Sequence, residues 1–369
     1  MFNDKCFTPG WLESFRKQGA HKHIQTNILE KMIYALYLVE QLKINGLEFV
    51  FKGGTSLVLL LEEGNRFSID VDIICKTDRQ SLEAVLNKIA DKSKFTSVTL
   101  DEPRSYKSGV PKAHYLFTFE SVFNTKAPAT ILLDVLIEDH VYPELIESVV
   151  HTKWIETDKA VSVTTPSINS ITGDKLTAFA PNTIGVPYYK GKVPFTMEIC
   201  KQLYDLSRLF GRISKMEIVL KSFVAHAAQE IAFRNKSDNT PGLTPEKVLM
   251  DSINTCLLIT KREGNQDEPA KSNFKLIQEG IRAFGTGYLM AGNFRIDDAI
   301  VAASKVALLA SKLLTSNLEP IIYYKGEDIS TLMIEAPEWN FLNKLKRQPD
   351  KSAFYYWYQT VQLLTKTKS

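Results

Sequence analysis

Three aspartates and a glycine pair carry the chemistry open to this 369-residue chain. Asp70 and Asp72 lie two apart near the end of KGGTSLVLLLEEGNRFSIDVDIIC (Lys52 to Cys75), and Asp134 sits inside the apolar run TILLDVLIE. On a strand, side chains alternate between faces, so Ser68, Asp70 and Asp72 share one face while Phe67, Ile69, Val71 and Ile73 take the other. Two carboxylates that close repel each other unless a cation lies between them. Mg²⁺, or Mn²⁺ in its place, suits that position, because hard oxygen ligands favour it and phosphate and water complete its shell. The residues around Asp134 read as a strand buried on both faces, and a buried acid requires a partner. An isolated D-x-D is common on solvated strands; the third acid gives the pair its weight.

Upstream, Gly53 and Gly54 let the backbone approach a ligand closely. The helix opened by Thr55 and Ser56 directs main-chain N–H groups and a positive dipole end at an anion. Lys52 and Arg66 flank this turn with positive charge, and Ser68 lies on the acid face as a hydroxyl donor. The pattern is not a Walker A loop, since no G-K-[ST] follows.

These residues need elements to position them. Apolar spacing predicts a helix from Gln25 to Lys43 and a strand at Leu47 to Phe51. After the glycine turn come a helix from Thr55 to Glu63 and a strand over RFSIDVDIIC. Two more strands, Lys112 to Phe123 and Ala129 to Asp139, extend the sheet. Beyond about residue 165 the strand signals give way to helices at 170–180, 196–210, 214–233, 244–261, 270–288, 296–315 and 352–365. The expected class is α+β: a mixed-sheet domain followed by a mainly helical C-terminal half.

FKGGTSL, then RFSIDVDI after a helix, then an aspartate-bearing apolar strand, resembles the nucleotidyltransferase fold, specifically the AbiEii toxin-type nucleotidyltransferases. GDKLTAFAPNTIGVPYYKGK and KQLYDLSRLF resemble later motifs of that branch, matching at Lys175 and Asp205. Many relatives have an acid directly after the basic residue of the last motif; here Gln202 follows Lys201. The resemblance implies a core over 25–210, with 1–24 as an N-terminal extension and 211–369 as a helical domain. It also implies an NTP substrate and the following roles. Asp70 and Asp72 hold the triphosphate-bound ion, and with Asp134 they hold a second ion that activates an attacking hydroxyl. Gly53, Gly54, Thr55 and Ser56, with Lys52, Arg66 and Ser68, grip the phosphates. Lys175 offsets charge on departing pyrophosphate, and Asp205 belongs to the same catalytic set. The implied acceptor is RNA, a tRNA end in particular, with a protein hydroxyl as alternative. The implied partner is an antitoxin encoded nearby, in an AbiE-like system of phage defence. A non-catalytic nucleotide- or RNA-binding module of the same fold is the rival from another class. A glycosyltransferase also uses D-x-D, but the glycine turn and Asp134 argue against it.

Composition excludes less. The chain is 44% hydrophobic and 24% charged, ordinary for a globular protein, and its net charge of +3 does not by itself mark a nucleic-acid binder. Cys6, Cys75, Cys200 and Cys256 have no C-x-x-C spacing and read as reduced core thiols. No secretory h-region or membrane span is expected, which points to the cytoplasm and away from membranes. The histidines lack ligand spacing and are expected to be structural or exposed. GVPYYKGKVPF (Gly185 to Phe195) reads as a loop with Tyr188, Tyr189, Lys190 and Lys192 suited to stacking and phosphate contact. The aromatic run Phe354 to Tyr358 is expected to pack in a helix.

Overall fold

Helix α1 (Pro9–Arg16) begins where the Thr8 hydroxyl accepts from the Trp11 amide and Pro9 takes the first turn. The computed structural model describes residues 1–18, 21, 24–61, 66–106, 111–124, 126–238, 242–264 and 266–366. The chain forms two units: Met1–Ser167 with Thr286–Asn293, and Ile168–Gly285 with Phe294–Ser369.

In the first unit, α2 (Thr26–Ile44) is buried almost all round, including Leu29, Met32, Leu36 and Val39. β1 (Val50–Lys52), α3 (Gly53–Leu60) and β2 (Val71–Cys75) follow, then α4 (Arg79–Lys92), β3 (Ser97–Leu100), β4 (Lys112–Phe119), β5 (Ala129–Ile137), β6 (Leu145–Val149) and β7 (Ser162–Pro166). The seven strands make one mixed sheet in the order β3-β4-β5-β2-β1-β7-β6. β2 runs parallel to β5 and β1 parallel to β7, while the other pairs are antiparallel.

Strand alternation sorts the sheet's two faces. Phe51, Val71, Ile73, Ala113, Tyr115, Phe117, Ile131, Leu133 and Val135 turn one way and join α2 in the core. The opposite face carries only a small cluster of Val50, Ile74, Leu136 and Tyr142. Ahead of α2, Phe2, Cys6, Phe7, Leu12 and Phe15 are all buried.

The second unit comprises α5 (Ile168–Ala178), the hairpin β8 (Tyr189–Lys190) and β9 (Val193–Pro194), α6 (Thr196–Phe210), α7 (Met216–Asp238), α8 (Pro245–Lys261), most of α9 (Glu268–Gly287), α10 (Ile296–Leu314) and α11 (Ser352–Lys366). α10 is the centre: Ala303, Val306, Ala307 and Leu309 are fully buried, and α6, α8 and α11 pack around it. A Cβ on Gly173 would lie 2.6 Å from the Phe223 amide nitrogen and the Val219 carbonyl, so the glycine lets α5 and α7 pack closely.

The helices of the second half agree with the apolar spacing. The division between units lies near residue 165, where the strand signals give way to helices. It falls after Ser167, and α5 and α6, grouped with the sheet by resemblance, pack with the C-terminal helices. Phe354, Tyr356 and Trp357 of α11 are buried, with the Trp357 indole donating to the Thr260 hydroxyl at 3.1 Å. The four cysteines are buried and free, and burial pushes their thiols up, so they remain protonated. Among the described residues no helix is long and apolar enough to cross a membrane.

Candidate active site

Register places four polar side chains in one row. Lys52 on β1 opposes Asp72 on β2, Asp72 is level with Asp134 on β5, and Asp134 opposes His114 on β4. Residues level with one another on neighbouring strands point to the same face, here the one that α2 leaves uncovered. Val50, Ile74 and Leu136, two residues along each strand from Lys52, Asp72 and Asp134, floor the row on one side. Two carboxylates therefore stand adjacent between a lysine and a histidine. Asp134 is not buried on both sides as its neighbours suggest: its side chain is 29% exposed, and Nδ1 of His114 is hydrogen-bonded to one of its oxygens.

The glycine turn is built against this row. Gly53 has φ +77°, and a Cβ there would fall 2.0 Å from Oδ2 of Asp72. Only a residue without a side chain lets that carboxylate lie against the start of α3. A Cβ on Gly54 would meet Nη2 of Arg66 at 2.6 Å and Oγ of Ser68 at 2.8 Å, so guanidinium and hydroxyl both overhang the second glycine. α3 begins at Gly53 itself, two residues earlier than expected, with no side-chain cap. Its first N–H groups therefore face the same corner as Arg66 and Ser68. The side chains of Thr55 and Ser56 are fully buried and hold the turn: Thr55 donates to the Asp70 carbonyl, and Ser56 to the Gly53 carbonyl at 3.0 Å. What Thr55 offers a ligand is its main-chain N–H.

The strand expected over RFSIDVDIIC forms only at Val71–Cys75. Residues Phe67 to Asp70 lie outside the strand, and Asp70 is exposed just before β2. This approach is held elsewhere: the Phe67 amide donates to the Tyr288 carbonyl at 2.7 Å, and Arg66 bridges to Leu289. Arg66 is itself buried and donates to the Phe67 carbonyl at 3.1 Å. Among the described residues, no three His, Cys, Asp or Glu side chains converge closely enough to enclose a metal ion. Register sets Asp72 and Asp134 side by side, and Asp70 is an exposed acid just before β2.

Gly53→Ala should both strain the turn and push Asp72 out of the row. A destabilisation of about 1–3 kcal/mol is expected for an alanine forced to positive φ, read as a lower midpoint in chemical unfolding, together with loss of nucleotide binding. An alanine variant with the parent's midpoint and binding would show that this contact is not needed.

In the second unit the structure joins Lys175 and Asp205. Lys175 on α5 meets Oδ2 of Asp205 on α6 at 2.9 Å, with side-chain exposures of 7% and 3%, and also donates to Oε1 of Gln202 at 3.0 Å. Lys175 is thus a buried ion-pair partner and not a solvated helix lysine, and Asp205 pairs with it across two helices. The amide of Gln202 stands where many relatives have an acid, and Asp205 supplies a carboxylate to this contact. Lys201 turns to Glu198 on its own helix at 2.8 Å. The segment Gly185 to Phe195, expected as a loop, contains the hairpin β8–β9, where Tyr189, Lys190, Lys192 and Val193 are exposed.

His114 was not singled out by sequence as functional. Its signal is register alone: neither spacing nor neighbouring residue types could bring it beside Asp134.

A sequence profile of the family described as nucleotidyl transferase AbiEii toxin, type IV toxin–antitoxin system, matches residues 37–286. A search of curated proteins gives no match. Among solved structures, one described as a nucleotidyltransferase from H. pylori is 19% identical, with 70% of this chain and 97% of that chain covered and a TM-score of 0.33. MenT4, a nucleotidyltransferase toxin from Mycobacterium tuberculosis H37Rv, is 12% identical, with 83% of this chain and 99% of that chain covered and a TM-score of 0.44. The profile takes in the glycine turn, all three aspartates, Lys175 and Asp205, and the chain belongs to the AbiEii nucleotidyltransferase toxin family.

Proposed function

We propose that this chain transfers a nucleotidyl group from an NTP to a hydroxyl of RNA, a tRNA end in particular, with a divalent ion held at Asp72 and Asp134. The observation that carries the reading is the row Lys52–Asp72–Asp134–His114 beside the uncapped turn at Gly53. The donor set fits Mg²⁺ or Mn²⁺: these ions take hard carboxylate oxygens and are commonly held by one or two carboxylates, with phosphate and water completing the shell. An enclosed cage of protein ligands is not required. Asp72 and Asp134 would hold the ion, with exposed Asp70 as the further oxygen donor. When bound, it supplies positive charge to the triphosphate and lowers the pKa of an attacking hydroxyl.

The chain's own residues supply the rest. Main-chain N–H groups of Gly53, Gly54 and Thr55, with Arg66 and Ser68, bind the outer phosphates and orient the α-phosphorus. Asp134 accepts the proton as the hydroxyl oxygen bonds to that phosphorus, and the bond to the β-phosphate oxygen breaks to release pyrophosphate. Lys175 and Asp205 act as a pair, so removal of either is felt through the other. The exposed hairpin with Tyr189, Lys190 and Lys192 has the composition to meet an RNA strand. The reading includes a cytoplasmic location and an antitoxin from an adjacent gene, in a phage-defence setting.

The test is incubation of purified protein with each α-labelled NTP, Mg²⁺ or Mn²⁺, and total RNA. Label is expected in RNA, dependent on the ion, and absent with Asp134→Asn while that variant keeps the parent's circular dichroism. Label in protein would move the acceptor to a protein hydroxyl. NTP binding without transfer under every condition would overturn the enzymatic reading in favour of a binding module.

A further inference from the structure

We infer that His114 is a positioning residue for Asp134, an inference that rests on Asp134 serving the transfer proposed above. The His114 amide donates to Oγ of Ser105 at 2.9 Å, and its carbonyl accepts from the Asp101 amide at 2.8 Å. Both main-chain groups thus turn away from β5, which makes His114 and Asp134 a non-hydrogen-bonded pair of the antiparallel ladder. In such pairs the Cα atoms are closest, at about 4.5 Å, and the side chains are driven together. Ser105 is buried and donates in turn to the Asp101 carbonyl at 2.8 Å, so a closed set of bonds fixes the strand at this residue.

The side chains complete the arrangement. Nδ1 of His114 is hydrogen-bonded to Oδ1 of Asp134, with exposures of 14% and 29% for the two side chains. An ionised carboxylate can only accept, so Nδ1 carries the hydrogen in this pair. One Asp134 oxygen is thereby tied to β4. Without the imidazole, Asp134 would be free to rotate about its own side-chain bonds, and its repulsion with neighbouring Asp72 would favour swinging away. His114 therefore sets which oxygen Asp134 presents and where. It need not touch the nucleotide.

Three substitutions separate this role from a generic strand position. In His114→Asn, the side-chain amide nitrogen occupies the place of Nδ1. In His114→Gln, an amide of the same chemistry is displaced by one carbon. His114→Ala removes the donor. Loss of an outer hydrogen-bond partner typically lowers metal affinity or activity by about 10–100-fold. The Ala and Gln variants should show a loss of that size in kcat, with KM for the NTP nearly unchanged and Mn²⁺ affinity, measured by electron paramagnetic resonance without nucleotide, weakened in parallel. The Asn variant should recover both. Parent-like kcat and Mn²⁺ affinity in His114→Ala would overturn the inference. So would an Asn variant as impaired as the Gln variant, whether through inactivity or misfolding. Asp134→Asn distinguishes the two levels. If it transfers as well as the parent, the site reading itself fails; if it is inactive and His114→Ala is not, only the positioning role fails.

Discussion

Asp72→Asn is expected to reduce nucleotidyl transfer by about three orders of magnitude, the upper range for removing a single preorganised electrostatic group from an active site, with the fold intact. Asp72 is the midpoint of the row, level with Lys52 on one side and Asp134 on the other, and its carboxylate lies against Gly53. Asparagine has nearly the same shape, so it keeps the packing against the turn and removes only the charge. Val71 and Ile73 on either side are fully buried on the opposite face, which keeps β2 in register whatever occupies position 72. Steady-state kcat/KM beside thermal unfolding tests this. A variant with an unchanged melting midpoint and parent-like turnover would place the chemistry elsewhere.

Lys175→Met should produce the largest stability effect. The Lys175–Asp205 pair is almost wholly removed from water, and removing one partner of a buried ion pair costs about 3–5 kcal/mol. Gln202, which accepts from Lys175, loses its donor as well. The double variant Lys175→Met with Asp205→Leu should regain much of that loss, because a well-packed apolar pair can substitute for a buried ion pair. Denaturant unfolding of the full chain, followed by a probe in the second unit, reads both. A single variant within about 0.5 kcal/mol of the parent, the range of ordinary surface changes, would contradict the buried-pair description.

What could be read from sequence follows from what is local. The helices over 196–210, 244–261 and 296–315 were legible because their apolar spacing repeats over several turns and each buries one face or more. β2 is shorter than its alternation suggests, because RFSID alternates as well as VDIIC does. What ends the ladder is the fixing of Arg66 and Phe67 by Leu289 and Tyr288, residues far along the chain. β6 and β7 were missed: they are short, and β6 is half exposed, so neither period stands out. The glycine turn and the acids were visible by type and spacing, and the later motifs by resemblance. That Asp72 and Asp134 are level with each other, that His114 joins them, and that Lys175 turns inward to Asp205 are facts of register and helix packing. None of the three leaves a mark in neighbouring residues.

The most direct test is anomalous diffraction from crystals grown with Mn²⁺ and a non-hydrolysable NTP analogue. The account predicts a peak between the Asp72 and Asp134 carboxylates, within about 2.0–2.3 Å of their oxygens as expected for a hard divalent ion, with the triphosphate over Gly53 and Gly54. A nucleotide and ion bound away from that row, with both carboxylates uncoordinated, would contradict it.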